Sequence, residues 1–366
     1  ITGSAGKTST KDLLAQLLAA HGATMAPVGS YNNELGTPLT VCQVDDQTRY
    51  LVSEMGSRAK GDIAHLCSIV QPDASIVVNV GSAHLGEFGS QQAIAAAKGE
   101  IIQALQPDGW AVLNADDRLV DAMAADTDAR IARFTVGPRP ISADLVVRAE
   151  DLVPDELDRF AFNLTASRGT DQQQARIQLG LLGRHQVTNA AAAATAALAV
   201  GLRFDLVAQV LNQATVRSPW RMELHELPSG AALINDAYNA NPDSMAAALR
   251  TLAAIGDRRR ASQPRARITA VLGDMLELGP QSPELHRQVG ELAANLDIDE
   301  VIAIGQYAAD LAAGAVQAGG QGRAASAESV AESLELASGD VVLVKASRGL
   351  RLERVADALV GGEVDK

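Results

Sequence analysis

The first ten residues most constrain this fold, because they combine a glycine-containing loop with the start of a helical pattern. They read Ile-Thr-Gly-Ser-Ala-Gly-Lys-Thr-Ser-Thr, which contains Gly-x-x-Gly-Lys-Thr. The glycines let backbone N–H groups approach phosphate oxygens, Lys7 adds positive charge, and Thr8 offers a hydroxyl suited to magnesium. Four leucines in Leu13–Leu18 share one face of a helix predicted from Thr10 to about Ala20, whose positive end faces the loop. This pattern favours a phosphate-binding loop over an ordinary glycine-rich turn. Its expected phosphate contacts are Gly3, Ser4, Ala5, Gly6, Lys7, Thr8 and Ser9.

The position of this loop is unusual. A phosphate-binding loop normally follows a buried strand, and only Ile1 and Thr2 precede it here. The first residue is not Met, and the sequence shows no signal peptide. We expect the sequence to be a fragment whose upstream part is missing.

Composition narrows the class of protein. At 366 residues the chain exceeds what one hydrophobic core usually serves, so two domains are expected. The net charge of −13 argues against nucleic acid as the main partner. No apolar run approaches the roughly 18 residues of a membrane helix, so we expect no membrane insertion. Cys42 and Cys67 have neither a disulfide framework nor metal-ligand spacing, which favours a reduced, cytoplasmic setting.

Strand-like and helix-like segments alternate through the first part of the chain. Buried strands are predicted at Tyr50–Ser53, Ala74–Val80 and Trp110–Leu113, with a helix at Ser90–Gln106. Period-2 stretches between residues 143 and 182 then predict a small antiparallel insert. Two helices follow, near 186–201 and 204–214.

A second alternating series follows a junction at Arg217–Arg221. The sequence therefore predicts an α/β fold: a P-loop-type, mostly parallel sheet ATPase domain over residues 1–216 with a small antiparallel insert, then a smaller Rossmann-like α/β domain over 217–366. Asp257–Pro264 and Gly319–Gly322 are expected to be surface loops. In this second domain, strands are predicted at 231–235, 267–272, 300–304 and 340–345, and helices at 242–255, 284–296, 306–317, 326–337 and 349–360.

Two strand ends in the first domain carry residues suited to a magnesium–nucleotide site. Glu54 ends a short apolar strand, where α/β sheets build ligand crevices, and its carboxylate is able to share a cation with Thr8. The alternative is a carboxylate that caps the next turn. His84 follows another strand end, within Asn79–Leu85, and is assigned a catalytic or metal-binding role rather than a structural one.

Two further segments are less specific when considered alone. Lys98 lies in a predicted helix, and composition by itself favours a solvated lysine there. Asp236–Ser244 follows an apolar strand and precedes a helix that begins at a proline. Its Asn and Asp side chains exceed what a turn needs, although a plain strand–helix turn is the alternative.

The order of the motifs along the whole chain resembles that of the Mur ligases. The Asp-Ala-Tyr-Asn-Ala-Asn-Pro loop in Asp236–Ser244 is similar to that of the members that add D-alanyl-D-alanine. The members that add the third peptide residue would show a Tyr-Ala-His-type loop there, and folylpolyglutamate synthases would carry a different phosphate loop. The resemblance rests on Thr2–Thr8, Asn32–Pro38, Ser53–Gly56, Gly61–Ile63, Asn79–Leu85, Ala97–Glu100, Asp236–Ser244, Gly273–Gly279 and Lys345–Gly349.

The resemblance implies a catalytic centre with ATP and two Mg²⁺ ions. Thr8 and Glu54 would hold one ion, and His84 with a carbamylated Lys98 would hold the other. Lys98 is therefore expected to carry a CO2-derived carbamate, because an ammonium would repel magnesium whereas a carbamate supplies oxygen ligands. The catalytic residues implied are Lys7, His84 and Lys98.

The resemblance also assigns contacts for ATP and for the substrates. Gln186, where the family often has Asn, and Ala346, where it usually has Gly, depart from the family pattern. ATP would be bound by Asn189, Arg221 and Asp236 in addition to the loop. The substrate-binding residues implied are Asn33, Tyr238, Asn239, Asn241, Lys345, Ser347 and Arg348.

The implied reaction is ATP-dependent amide formation in peptidoglycan precursor synthesis, and hence in cell-wall biogenesis, cell shape and cell division. The substrates would be UDP-N-acetylmuramoyl-tripeptide and D-alanyl-D-alanine, and the enzyme would be a cytoplasmic monomer. The family's N-terminal UDP-binding domain is expected to be absent, so the chain would bind ATP–magnesium but ligate poorly. Another Mur-like amide ligase, or an ATP-binding module without ligase activity, stays open as an alternative.

Overall fold

The computed structural model describes residues 1–81 and 88–361. Within it the chain forms two compact units. The first comprises Ile1–Asp155 with Arg159–Ser218, and the second comprises Glu156–Asp158 with Pro219–Lys366. The first unit thus ends at Ser218, whereas the sequence predicts that the first domain ends at residue 216.

The first unit is built on a six-stranded sheet in the order β3-β4-β5-β6-β7-β8. Its first four strands are parallel, and the β6-β7-β8 pairs are antiparallel. The predicted mostly parallel sheet with a small antiparallel insert is confirmed. The strands are β1 Thr24–Met25, β2 Tyr50–Leu51, β3 Ala74–Val77, β4 Trp110–Asn114, β5 Arg130–Val136, β6 Leu145–Pro154, β7 Arg159–Arg168 and β8 Asp171–Leu182.

Helices cover both faces of this sheet. Alternate strand residues enter different apolar clusters: Ile76 packs with α1 and α6, whereas Val77 packs with α3 and α4. The alanines of Ala190–Ala194 are fully buried, which lets α6 lie close to the strands. The helices are α1 Lys7–Ala19, α2 Gly36–Val41, α3 Asp62–Val70, α4 Gln91–Gln103, α5 Arg118–Ala122, α6 His185–Ala199 and α7 Phe204–Gln213. None of the helices in the described ranges, α6 included, is long and apolar enough to cross a membrane.

The start of the chain joins the parallel part of the sheet. Thr2 forms a parallel bridge with Val77, and its N–H donates to the Ile76 carbonyl at 2.8 Å. Met55 N–H donates to the Ile1 carbonyl at 2.8 Å on the other side. The Gly-x-x-Gly-Lys-Thr loop therefore leaves the sheet between the segment that carries Glu54 and the strand that leads to Asn79.

The second unit contains another six-stranded sheet, in the order β13-β12-β11-β14-β10-β9, and only β9 runs antiparallel. This is the predicted Rossmann-like α/β domain, which is confirmed. Its strands are β9 Glu223–Glu226, β10 Ala232–Asp236, β11 Ile268–Gly273, β12 Glu300–Ile304, β13 Gly322–Ala324 and β14 Val341–Lys345. Its helices are α8 Pro242–Ser262, α9 Ser282–Asn295, α10 Ala308–Gln317, α11 Ala327–Ser333 and α12 Glu353–Gly361.

Two predicted surface loops are wrong in part. Asp257–Pro264 was expected to be a loop, but α8 continues to Ser262. Its arginines are good helix formers, Asp257 and Arg260 are spaced to pair across one turn, and Pro264 cannot continue a helix. Gly319–Gly322 ends in a strand rather than a loop, because Gly322 opens β13.

Candidate functional site

The glycine-containing loop turns directly into α1. Gly6 lies at the N-cap of this helix with φ +82°, a left-handed conformation that favours glycine. Lys7 is the first helical residue, and its Nζ donates to the Gly3 carbonyl at 2.8 Å. Thr8 is buried, with 3% of its surface exposed. The loop thus places the N-terminal N–H groups of α1, a lysine and a threonine at one point, which is the arrangement that binds phosphate groups.

Asn79 holds this loop from the neighbouring strand end. Its Oδ1 accepts from Ala5 N–H at 2.9 Å, and its Nδ2 donates to the Ala5 carbonyl at 3.1 Å. The Asn79 carbonyl accepts from Ser4 N–H at 3.1 Å, and Ser4 Oγ accepts from Gly81 N–H at 2.9 Å. Asn79 belongs to the Asn79–Leu85 motif, but the sequence alone predicts no role for it. The structure assigns its side chain to fixing the loop's backbone.

Asn189 reaches the loop from α6, although it lies far away in sequence. Its Oδ1 accepts from Thr10 Oγ1 at 3.3 Å, and a Cβ on Gly6 would meet the same oxygen at 2.4 Å. Gln186 Oε1 accepts from Asn189 Nδ2 at 2.9 Å. Gln186, which departs from the family pattern, therefore orients the amide of Asn189.

Glu54 is a buried carboxylate beside the start of the loop. Only 1% of the residue is exposed, and its Oε1 accepts from Asn32 Nδ2 at 2.7 Å. Its Oε2 is buried without a hydrogen-bond partner among the described residues. A buried carboxylate oxygen of this kind is a suitable ligand for a hard cation, so Glu54 fits the expected magnesium ion.

Asn33, the neighbour of Asn32, has a structural role. Its Oδ1 accepts from Gly36 N–H at 2.9 Å and from Leu35 N–H at 3.3 Å, at the start of α2. The predicted substrate-binding side chain of Asn33 is thus engaged with its own backbone turn.

Lys98 is buried within α4, with 3% of its surface exposed. The solvated position that composition favours is therefore wrong. Burial and, to a smaller extent, the positive charge of Lys7 together lower the pKa of Lys98 to about 7. His84 lies outside the described residues. Earlier in the chain, Val80 N–H donates to Asp117 Oδ2 at 2.7 Å, which fixes the segment that follows β3.

The second unit brings together the carboxyl ends of β10 and β14. Asp236 and Lys345 are paired in the sheet register, and Lys345 Nζ lies 2.6 Å from Asp236 Oδ2. Lys345 also donates to the Asn239 carbonyl at 2.8 Å, and Met222 N–H donates to Asp236 Oδ1 at 3.1 Å. Burial lowers the pKa of Lys345, while the Asp236 carboxylate opposes this shift. The lysine expected to contact substrate thus holds the loop that follows β10.

Part of that loop is a helix start. Asn241 caps α8, since its Oδ1 accepts from Ser244 N–H at 2.8 Å and Ser244 Oγ accepts from Asn241 N–H at 3.0 Å. Asn239 Oδ1 accepts from Ala240 N–H at 2.9 Å. The strand–helix turn considered as an alternative accounts for these two amide contacts.

Aromatic and guanidinium groups lie beside the loop. The Arg221 guanidinium lies 4.1 Å from the centre of the Tyr238 ring, and that of Arg348 lies 4.4 Å from Trp220. The rings of Trp220 and Tyr238 are stacked with centres 6.4 Å apart. Flat aromatic and cationic surfaces of this kind suit a planar or anionic ligand.

Ser347 is fixed by the segment after β11. Its N–H donates to the Asp274 carbonyl at 3.1 Å, and its Oγ accepts from Leu276 N–H at 3.0 Å. The Asp274 carboxylate accepts from Gln306 N–H at 2.8 Å and from Tyr307 N–H at 2.9 Å. The strand ends of this unit are therefore linked through Asp274.

The predicted residues form one group in each unit. With its phosphate loop and buried carboxylate on a parallel sheet, the first unit is a P-loop-type nucleotide-binding domain, and a Rossmann-like domain follows it. The first group contains Gly3, Ser4, Ala5, Gly6, Lys7, Thr8, Ser9, Glu54 and Asn189. Lys98 belongs with this group, because the charge of Lys7 contributes to lowering its pKa. The second contains Arg221, Asp236, Tyr238, Asn239, Lys345, Ser347 and Arg348.

Comparisons with known proteins agree with this class. Residues 1–197 match the family described as Mur ligase middle domain, and residues 220–348 match that described as Mur ligase, glutamate ligase domain. A UDP-N-acetylmuramoyl-tripeptide–D-alanyl-D-alanine ligase of Mycobacterium tuberculosis (strain CDC 1551 / Oshkosh) is 44% identical over 382 residues, which cover 99% of this chain and 72% of the relative. The chain belongs to the Mur ligase family.

Solved structures of the family share this fold. MurF from Acinetobacter baumannii superposes with a TM-score of 0.81 at 28% identity, over 98% of this chain and 75% of that one. The MurF ligase from Thermotoga maritima, solved in complex with ADP, gives a TM-score of 0.77 at 28% identity, over 99% of this chain and 78% of that one. The similarity therefore extends through both units.

Proposed function

We propose that this protein is an ATP-dependent ligase that joins D-alanyl-D-alanine to UDP-N-acetylmuramoyl-tripeptide. The observation that carries the proposal is the identity to the mycobacterial ligase along almost the whole chain, together with the phosphate loop at Gly3–Ser9. The tripeptide carboxylate attacks the γ-phosphorus of ATP, which gives an acyl phosphate and ADP. The dipeptide amine then attacks the acyl carbon, an N–C bond forms, and phosphate leaves. The amine loses a proton in this step.

The first unit binds and orients the phosphates of ATP. The N–H groups at the start of α1 and the Lys7 ammonium stabilise the negative charge on the transferred phosphoryl group. Asn79 keeps the loop's backbone in place, and Asn189 supports it from α6. Thr8 and Glu54 would hold one Mg²⁺ ion, and the ions would offset charge on the phosphate oxygens.

Lys98 is proposed to become a carbamate. Its burial disfavours the ammonium form, so a neutral amine is available to attack CO2. A new N–C bond forms as one C=O π pair of CO2 moves to oxygen, and the nitrogen loses a proton, so a neutral amine becomes an anionic carbamate with two oxygen ligands. With His84, this group would hold a second Mg²⁺ ion.

The second unit supplies the other contacts. Asp236 and Arg221 are proposed to contact ATP, and Tyr238, Asn239, Ser347 and Arg348 the dipeptide or the acyl intermediate. Lys345 holds Asp236 and the loop at Asn239, and so acts through them. Asn33 and Asn241 are also proposed to contact substrate, although the Oδ1 atom of each already accepts a backbone N–H.

We also propose the setting in which the protein works. ATP and a UDP-linked substrate are nucleotide metabolites, and Cys42 and Cys67 are free thiols. Both facts fit a cytoplasmic setting, and we propose a monomer that works in peptidoglycan precursor synthesis, where it would support cell-wall biogenesis, cell shape and cell division.

A substrate panel tests the ligase function. ADP release is measured with UDP-N-acetylmuramoyl-tripeptide and either D-alanyl-D-alanine or single amino acids. We expect slow turnover with the dipeptide, in keeping with the poor ligation expected of these 366 residues. Turnover only with a single amino acid would indicate another Mur-like ligase. ATP binding without any turnover would indicate a nucleotide-binding module and contradict the proposal.

Lys98→Ala tests the carbamate. We expect turnover to fall by about 10²–10³-fold, with ATP binding retained. Lys60→Ala, which removes an exposed lysine of the same unit, is the matched control and is expected to retain turnover. An active Lys98→Ala variant, or wild-type turnover that is insensitive to removal of dissolved CO2, would contradict the assignment.

A further inference from the structure

His286 is a fully buried histidine of α9 that lies outside the motifs found in the sequence. None of its surface is exposed. Its Nε2 accepts from Met275 N–H at 2.8 Å, and its Nδ1 lies 2.6 Å from the Ser282 carbonyl. A carbonyl only accepts, so Nδ1 carries the proton, and Nε2 must be unprotonated to accept from Met275. The two partners together specify the neutral Nδ1–H tautomer.

The surroundings of His286 favour that neutral form. Burial lowers the pKa of His286, whereas the Ser282 carbonyl and the carboxylates of Asp274 and Asp310 oppose the shift. Asp310 is paired with Arg287 at 2.7 Å, which reduces its effect. The Tyr307 ring is stacked on the imidazole with centres 4.6 Å apart. Protonation at Nε2 would set one N–H against another and remove the contact to Met275.

The segment that His286 holds is the one that fixes Ser347. Met275 bonds to the histidine, and the next residue, Leu276, donates its N–H to Ser347 Oγ at 3.0 Å. The preceding residue, Asp274, accepts from Ser347 N–H through its carbonyl. His286 is therefore separated from Ser347 by a single short run of backbone, bonded at both ends.

We propose that His286, as the neutral Nδ1–H tautomer, is a positioning residue for the dipeptide end of the reaction, because it holds Asp274–Leu276 against Ser347. This inference rests on the proposed function for the identity of the substrate and for its contact with Ser347. The geometry itself concerns the described contacts of the second unit. His286 does not touch the reacting groups in this proposal, and it acts through the backbone of Met275 and Leu276.

Three variants separate positioning from packing. His286→Leu removes both ring nitrogens, and we expect the KM for D-alanyl-D-alanine to rise about tenfold because Met275 N–H loses its acceptor. His286→Gln keeps an acceptor and a donor, and is expected to restore most of the affinity. Tyr307→Leu removes the stacked ring and leaves both hydrogen bonds of His286, so it is expected to lower the melting temperature without changing this KM. The KM for ATP is expected to stay unchanged in all three.

The pH dependence gives a second readout. At neutral pH His286 is uncharged, and because its pKa is lowered in the folded protein, the bond to Met275 is lost only when the pH falls through that lowered value, below 6.5. We expect kcat/KM for the dipeptide to fall on this acid side in the wild type and in Tyr307→Leu. The fall is expected to be weaker in His286→Gln, whose amide does not titrate.

The outcomes distinguish this inference from the proposed function. If the wild type does not ligate the dipeptide, the proposed function fails, and amide hydrogen exchange at Met275 and Leu276 then decides the inference. Faster exchange in His286→Leu than in His286→Gln and Tyr307→Leu would support positioning. Equal exchange in all three, or a dipeptide KM in His286→Leu equal to that of the wild type, would overturn it. If His286→Leu does not fold, the pH profile decides: an acid-side fall in His286→Gln as steep as in the wild type and in Tyr307→Leu would overturn the inference.

Discussion

The phosphate loop and the strand-end loops of the second unit reach their geometry in different ways. Gly3–Ser9 is a continuous segment that takes its shape from positive φ at Gly6 and from the start of α1. The distant side chains that support it, Asn79 and Asn189, are neutral amides, whereas the loops after β10, β11 and β14 are held by titratable side chains. Asp236 binds Lys345, and His286 binds the backbone of Met275.

This difference determines which substitutions each region tolerates. A loop that binds phosphate through its backbone N–H groups loses affinity when added atoms fill its space. Its supporting side chains need only form hydrogen bonds to it. A region held by a buried charge pair fails when one charge is left without the other, because the remaining ion keeps its desolvation cost. The first region is therefore expected to be sensitive to small steric changes, and the second to loss of charge.

The largest effect is expected for Lys345→Met. This change leaves Asp236 buried without its cation, and we expect the free energy of unfolding of the second unit to fall by about 3–5 kcal/mol. Hydrogen exchange of the β10 and β14 amides measures this loss directly, because these strands carry the pair and neither lies at an edge of the sheet.

The double variant Asp236→Asn/Lys345→Met sharpens this result. Asparagine keeps an oxygen for Met222 N–H, and no charge remains buried. We expect this variant to be more stable than Lys345→Met alone. If Lys345→Met and the double variant have the same free energy of unfolding, the pair does not act through charge. The contrast between the two regions would then be lost.

The same contrast explains how much of the site was predictable from sequence. The phosphate loop could be predicted because its glycines, lysine and threonine are contiguous. The roles of Asn79 and Asn32 could not, since each bonds a partner that only the sheet brings near. The signal that could have found Asn79 is an amide side chain just after a strand end, whereas Asn32 has no strand beside it in the sequence. No such signal exists for His286, whose partner Met275 contributes only backbone.

The fold was more predictable than its details. Apolar runs such as those in β4 and β12 predicted the parallel strands, and both sheets have the predicted, mostly parallel arrangement. Lys98 was misjudged from composition, because α4 is rich in alanine and its sequence does not show which face is buried. The end of α8 was misjudged because charged residues were taken to indicate a loop, although they form helices well.

The next largest effect is expected for Asn32→Ala, which tests the magnesium ligand. Asn32 orients Glu54 through a 2.7 Å hydrogen bond, and loss of such a supporting contact is expected to weaken Mg²⁺ affinity about 10–100-fold. The magnesium dependence of ATP binding measures this change. Asn163→Ala is the control, because it removes an amide–carboxylate contact of 2.7 Å on β7, and it is expected to leave that dependence unaltered. Equal magnesium dependence of ATP binding in Asn32→Ala and Asn163→Ala would contradict the proposal that Asn32 orients Glu54 as a magnesium ligand.

The smallest effect is expected for a pair of glycine substitutions. Gly6 and Gly61 both cap helices with positive φ, +82° and +98°, so Ala is expected to cost about 1–2 kcal/mol of stability at either position. Only at Gly6 would the new Cβ approach Asn189 Oδ1, at 2.4 Å, whereas at Gly61 nothing lies within 4 Å. We therefore expect Gly6→Ala to raise the ATP dissociation constant about tenfold, which corresponds to about 1.4 kcal/mol, and Gly61→Ala to leave it unchanged. Equilibrium titration of both variants with ATP checks this, and equal affinities would mean that the space inside the loop does not limit phosphate binding.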